Sequence, residues 1–204
     1  MKYIKKQPEP QAFTSWKQAQ ARTWNDLKNP IKRIVKRSLI DEQGHICCYC
    51  EQRLVENESH IEHFKPRNDA LVDDLDFSNF LCSCIRQLAR GAPCHCGHAK
   101  DQCDSNLLVS PFDPLCEERF LFTADGQILA ASASDTTARK TINELNLDAP
   151  KLRALREAVI LRFDDSSLSI KELQIMVKDH LSLSNSGEYG EFWTTIQELF
   201  GGLI

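Results

Sequence analysis

Apolar residues return every three or four positions in several stretches of the chain, and each such stretch predicts a helix with one buried face. FTSWKQAQARTW reads as the first helix, and NPIKRIVKRSLIDEQG gives the second with clearer limits: Asn29 suits a cap, Pro30 the first helical position and Gly44 the stop. In that second helix Ile31, Ile34, Val35 and Leu39 form the inward stripe, and Lys32, Arg33, Lys36 and Arg37 face outward. Short strands are expected around QRLV and HIEHF, while CIRQLARGAPCHC reads as an inserted loop. FLFTADGQILA predicts a hairpin, with Asp125-Gly126 in a type I′ turn between two apolar runs. Helical spacing resumes in TARKTINELNLDAPKLRALREAVILRF, SIKELQIMVKDHL and GEYGEFWTTIQELF. The expected class is α+β, mostly helical, around a small zinc-stabilised ββα-metal element.

Composition changes this picture at two points. The net charge of -4 hides an asymmetry, because residues 1–37 carry ten Lys/Arg against only Glu9 and Asp26, which leaves the remainder strongly acidic. A basic arm on an acidic body is compatible with a phosphate-backbone partner; a solvated helix surface or a face that docks an acidic protein fits the charge equally well. Eight of the nine cysteines lie between Cys47 and Cys103, and none follows Cys116. With no apolar run of about 18 residues and no export-type leader, a cytoplasmic protein that uses its cysteines to bind metal is expected.

The chemistry concentrates in CCYCEQRLVENESHIEHFKPR. Cys47 and Cys50 have the Cys-x-x-Cys spacing that lets two thiolates reach one tetrahedral ion, and a second pair must come from Cys82, Cys84, Cys94 and Cys96, with His95 a further option. A redox pair involving Cys48 is the competing reading; Cys103 and Cys116 are ordinary thiols. Downstream, His63 can take a proton near neutral pH and Glu62 suits a hard cation. Neighbours on a regular strand point to opposite faces, so both serve one site only at a strand end or bulge, as Pro66 allows. His60 shares the strand face of Glu62 and is either a metal ligand or a structural hydrogen-bond partner. Asn79 can be a mere helix-capping residue, His45 and His180 are surface or satisfied histidines, and Lys65, Arg67 and Lys100 are either phosphate contacts or solvated charges.

Taken in order, CCYC, IEHFKP, DFSNFLCSC and CGHAK resemble the HNH endonuclease pattern, and with LLVSPFDP the order is similar to PtuB-like HNH subunits of Septu anti-phage systems, which also occur as retron effectors. The resemblance covers roughly residues 47–114 and places an HNH core with its zinc knuckle over 45–114; residues 1–44 read as a basic helical arm, and the placement of the hairpin and C-terminal helices over 115–204 suits partner docking. The resemblance makes His63 the general base, Asn79 the residue that holds the base and its loop, and Glu62 with His98 the ligands of a catalytic Mg²⁺ or Mn²⁺, with His60 a further candidate. Cys47, Cys50, Cys84 and Cys96 become the ligands of a structural Zn²⁺. Two features depart from the usual pattern: Gly97 stands where the last ligand usually follows the final cysteine, and the second cysteine pair is widely spaced. The implied activity is metal-dependent hydrolysis of phosphodiester bonds in DNA or RNA by a toxic defence effector. Its implied partners are nucleic acid, a PtuA-like ATPase and a retron reverse transcriptase with its RNA/DNA product, and no membrane. The alternative is a non-catalytic zinc-knuckle adaptor or nucleic-acid-binding protein.

Overall fold

The computed structural model describes residues 1–19, 22–87, 91 and 94–204; part of the expected inserted loop (88–90 and 92–93) and residues 20 and 21 of the first expected helix lie outside the described residues. The first helix is α1, Gln11–Ala19, whose Phe13 is fully buried against Phe77 and Phe80. In α2, Ile31–Glu42, the buried face is Val35, Leu39 and Ile40. Ile34, expected inside, is 38% exposed. Pro30 rather than Asn29 takes the capping position of α2, and Gly44 follows its end at φ +59, where a residue without Cβ is least strained.

Two strands form the central pair: β1, Ser59–His63, runs antiparallel to β2, Phe80–Cys84, in a register that sets His63 opposite Phe80 and Ser59 opposite Cys84. QRLV is not a strand; its β-type pairing is a single isolated bridge between Ile46 and Arg53. A knuckle and a side chain cover the outer edge of β2. The Cys48 amide donates to the Cys82 carbonyl, and buried Gln43 behaves like a short strand, accepting from the Cys82 amide at 2.7 Å and donating to the Cys82 carbonyl at 2.9 Å. No backbone polar group of Cys82 is left unpaired. The short helix α3, Gly97–Lys100, completes a ββα unit.

The hairpin is present as β3, Phe120–Phe122, and β4, Ile128–Ala130. Its turn is not type I′, which needs positive φ at both central residues. Only Gly126 has one (φ +76), and the Gly126 and Thr123 amides close the loop on Thr123 and Gln127, as in a type I turn followed by a left-handed glycine. The long helical stretch divides into α4, Thr136–Glu144, capped by Asp135, and α5, Pro150–Ile160, because Pro150 can begin a helix but not continue one. Ser169 and Glu172 form a capping box at the start of α6, Ile170–Leu181. The last helix, α7, is Trp193–Phe200; Phe192 before it is left-handed, so GEYGEF stays outside the helix.

The main core joins α1, α2, the strand pair, the hairpin and α4, while α6 and α7 pack with the end of α5 in a second cluster. The basic N-terminal stretch is part of this interior: Met1 and Ile4 are buried, the Ile4 amide donates to the Pro111 carbonyl, and the Met1 ammonium lies 2.9 Å from both Glu51 and Thr194. Among the described residues no helix is long and apolar enough to cross a membrane.

Candidate active site and metal centre

The knuckle, the end of β2 and the start of α3 bring four buried cysteines together. One sulfur from each of Cys47, Cys50, Cys84 and Cys96 lies within 4.8 Å of all the others, and the Cys50–Cys84 separation is 3.7 Å. Tetrahedral thiolates at about 2.3 Å from zinc would stand about 3.8 Å apart, so the donor set fits such an ion in number, softness and spacing. Burial pushes the Cys50 and Cys96 thiols up. Burial also opposes ionisation of Cys47, but hydrogen bonds from Cys48, Cys50, Cys84 and Cys96 outweigh it and draw Cys47 well down. A cation would complete this buried group of sulfurs, which already share hydrogen bonds.

Cys82 and Cys94 stand outside this group. Burial pushes the Cys82 thiol up to about 12, and Cys94 is engaged through its carbonyl, which accepts from Asn146. His95 is fully buried, with Nδ1 3.1 Å from Cys96 Sγ and 3.9 Å from Cys84 Sγ; its place is beside the sulfurs rather than among the four. Cys48 is buried next to the cluster, Cys116 is buried elsewhere and Cys103 is half-buried.

β1 separates the remaining chemistry onto two faces, as its alternation requires. On one face Glu62 is buried, with Oε1 2.9 Å from the Lys100 ammonium and 3.2 Å from the Tyr49 hydroxyl, and Oε2 3.4 Å from His60 Nε2. Burial favours the neutral acid, yet His60 and Lys100 together hold the carboxyl below its usual range. The Ile85 carbonyl accepts from both His60 Nδ1 (2.8 Å) and His98 Nε2 (2.7 Å), which fixes a tautomer in each ring. With Nδ1 spent on that carbonyl, His60 points Nε2 at a carboxylate oxygen. Two acceptors facing each other at 3.4 Å repel unless a cation, either a proton or a metal ion, lies between them. His98, whose ring centroid is 5.1 Å from that of His60, stands farther back. Among the described residues Glu62, His60 and His98 do not close into a compact three-ligand group as the cysteines do.

Gly97 explains the sequence departure at that position. A Cβ there would lie 2.6 Å from Glu62 Oε2 and 2.7 Å from His60 Nε2, so the helix can approach the pair this closely only without a side chain. Lys100 does not face solvent: it is 2% exposed, and its ammonium also donates to the His63 carbonyl at 3.0 Å. The surface phosphate contact expected of it is not available from there, whereas Lys65 and Arg67 are exposed.

On the other face the His63 ring packs edge-on against Trp24 and Phe80, with centroids 4.5 and 4.7 Å away. Nε2 donates to the Asp74 carbonyl at 3.0 Å, which leaves the lone pair on Nδ1. Burial depresses the His63 pKa, with Arg67 acting in the same direction, so the ring is neutral near pH 7. Asn79 ends a 3-10 turn, Phe77–Asn79, that Asp76 caps. Its side chain accepts from the Lys65 amide at 2.7 Å and donates to the Lys65 carbonyl at 3.0 Å, and its own carbonyl accepts from the Phe64 amide. This two-point clamp fixes the chain immediately after His63. His45 and His180 are engaged elsewhere, His45 beside Asp41 and Glu188 and His180 on the Glu191 carbonyl.

Trp24, Tyr49, Asp74 and Gly97 complete these surroundings and were not evident as site residues from the chain alone. Trp24, at the start of a 3-10 turn, and Asp74, in a loop, belong to no chemical motif, and only the unusual placement of Gly97 after the last cysteine marked its position.

Comparison with curated proteins gives two relatives. The chain is 30% identical over 139 residues to the "Retron Vc95 putative HNH endonuclease" of Vibrio cholerae serotype O1 biovar El Tor, a match covering 65% of this chain and 66% of that protein. It is 26% identical over 242 aligned positions to the "Retron Ec83 putative HNH endonuclease" of Escherichia coli, covering 96% of this chain and 92% of that protein. The match spans just under two thirds of the first relative's length and most of the second's. No family model matches the chain.

Proposed function

This chain belongs to the HNH endonuclease family, and from that premise we propose that it hydrolyses phosphodiester bonds in DNA or RNA as the toxic effector of a bacterial anti-phage system. The observation that carries this reading is the state of His63: buried, neutral, oriented by the Asp74 carbonyl through Nε2, and followed by a loop that Asn79 pins. Nδ1 takes a proton from water as that water attacks phosphorus. Asn79 keeps the ring from drifting, and Trp24 and Phe80 limit its rotation. Glu62 and His60 supply the oxygen and nitrogen donors that face each other, with His98 behind them, and a divalent ion such as Mg²⁺ or Mn²⁺ held there would supply charge stabilisation at the phosphate and leaving oxygen. Cys47, Cys50, Cys84 and Cys96 would hold zinc and keep the ββα unit in register.

The retron names of the relatives support a setting with a reverse transcriptase and its RNA/DNA product. The likeness to Septu proteins adds a PtuA-like ATPase as the controlling partner. We assign residues 1–44 to a basic arm, 45–114 to the nuclease core and 115–204 to partner docking.

One contact favours a second reading: Lys100 already neutralises Glu62 at 2.9 Å, as in a structural ion pair of a zinc-knuckle adaptor. Purified wild-type and His63→Ala proteins, with and without the ATPase, should be incubated with plasmid DNA and total RNA in Mg²⁺ or Mn²⁺. Cleavage lost only in the variant, with zinc content unchanged, is expected. No cleavage under any condition by zinc-loaded, partner-bound wild type would transfer the assignment to the adaptor.

A further inference from the structure

A groove of about 590 Å³ runs between the outer face of α2 and β1, lined by Lys32, Lys36 and Arg86, with Ser59, His60 and Ile61 along its strand side. Its cations are not equivalent. Glu56 accepts from Arg33 at 2.7 Å and Arg37 at 2.8 Å, so those two guanidinium groups already have a counter-charge. Lys36 is drawn to the groove floor, donating to the backbone carbonyls of Glu56 and Ser59. By contrast, among the described residues no carboxylate stands within 4.0 Å of the charged ends of Lys28, Lys32, Arg67 or Arg86. Burial lowers the Lys32 pKa, and the neighbouring positive charges of Lys28, Arg86, Lys36 and Arg67 lower it further. Like charges held together without a counter-ion repel one another, and a polyanion relieves that repulsion.

The cluster is connected to the candidate base. Trp24 holds Lys32 at 5.0 Å and Arg67 at 5.3 Å from its ring, and the same ring touches His63. At the strand side of the groove stands His60, the partner of Glu62. The cations therefore adjoin His60 directly and His63 through Trp24.

We propose that Lys28, Lys32 and Arg86, with Arg67 at the His63 end, form the track that holds the phosphodiester backbone of a nucleic acid and delivers it to β1. This deepens the nuclease reading and rests on it for what happens to the bound strand. Recognition here is of the backbone, so it sets affinity and position rather than sequence. Arg33, which also lines the groove, and Arg37 are not part of the track, because Glu56 already neutralises both.

The test measures binding without cutting. In a His63→Ala background with verified zinc content, anisotropy of labelled duplex DNA and of labelled single-stranded RNA is followed across a salt series for Lys28→Ala/Lys32→Ala/Arg86→Ala, for Arg33→Ala/Arg37→Ala, and for the Lys28→Arg/Lys32→Arg protein. Each lost phosphate contact should reduce the slope of log K against log salt by about 0.9 on the duplex or about 0.7 on a single strand, so the triple variant should lose about 2 to 3 in slope and at least about ten-fold in affinity. The Arg33/Arg37 variant should keep the original slope, and the arginine replacements should retain tight binding. An unchanged slope in the triple variant, or equal losses in the triple and Arg33/Arg37 variants, overturns the track. Plasmid and RNA cleavage by wild type, run in parallel, separates the two ideas: cleavage with an unchanged triple-variant slope sinks the track alone, and a reduced slope without cleavage supports the track and sinks the nuclease. If wild type binds neither polymer, both fail.

Discussion

His63 shows most plainly how position sets chemistry at the scale of one residue. Burial beside Trp24 and Phe80 disfavours the imidazolium and lowers the pKa from its usual 6.5. A base of this kind stays in its active neutral form as pH falls through 6.5, and loses it only at the depressed value. Cleavage measured as a pH–rate profile should therefore be level above 6.5 and hold below it; a half-maximal rate at or above 6.5 would contradict His63 as the base. The same shift affects stability. The unfolded chain takes up a proton near 6.5 while folded His63 resists it, so its contribution is complete above that pH and is lost as pH falls through the lowered folded value, with buried His95 and half-buried His180 acting in the same sense. At this scale the sequence was informative where residue type alone limits chemistry: His63, Glu62 and the cysteines could be picked out by what their side chains can do. The Lys100–Glu62 contact could not, because 38 positions separate the two and nothing in a lysine's local sequence says that it is buried.

Among the elements, those with strong periodicity and chemical boundary signals were legible: α2, α6 and the β3–β4 hairpin all lie where their patterns put them. Misplacements arose where a local signal met a competing one. Pro150 divided an apparently continuous helix, and packing against the strand pair selected Ile40 over Ile34 for the inner face of α2. The four-cysteine arrangement depends on the tertiary meeting of knuckle, β2 and α3, so spacing alone left Cys82, Cys94 and His95 open. The α3 contact has a direct test. Gly97→Ala should push the helix away from Glu62 and His60, since the added carbon would stand 2.6 and 2.7 Å from their polar atoms. We expect cleavage to fall by about ten-fold or more, equivalent to about 1.4 kcal/mol of lost transition-state stabilisation, with zinc content retained. Unchanged cleavage would mean that this side of β1 takes no part in the reaction.

For the whole molecule, the cysteine cluster ties together segments that are distant in sequence, and the N-terminal residues lie inside the same core. A structural zinc site contributes roughly 10–16 kcal/mol in apparent binding, comparable with the roughly 5–15 kcal/mol by which domains are stable. Removing the metal with a strong chelator should abolish the cooperative thermal transition seen by circular dichroism, and zinc should restore it; an unaltered midpoint after verified metal loss would remove the structural role. The basic N-terminal charge was visible in the chain, but its division between the pinned Arg33 and Arg37 and the unneutralised Lys28 and Lys32 depends on Glu56, which approaches only after folding. The two faces of β1 have a further consequence for control. The 3-10 turn that carries Trp24 touches the His63 face, and α3 touches the Glu62 face. On the proposed chemistry hydrolysis needs both, so a partner that displaces either contact is enough to silence the enzyme, while switching it on requires both to be correct. On that chemistry the strand works as a logical conjunction of two inputs, with Lys100 of α3 tied to both Glu62 and the His63 carbonyl.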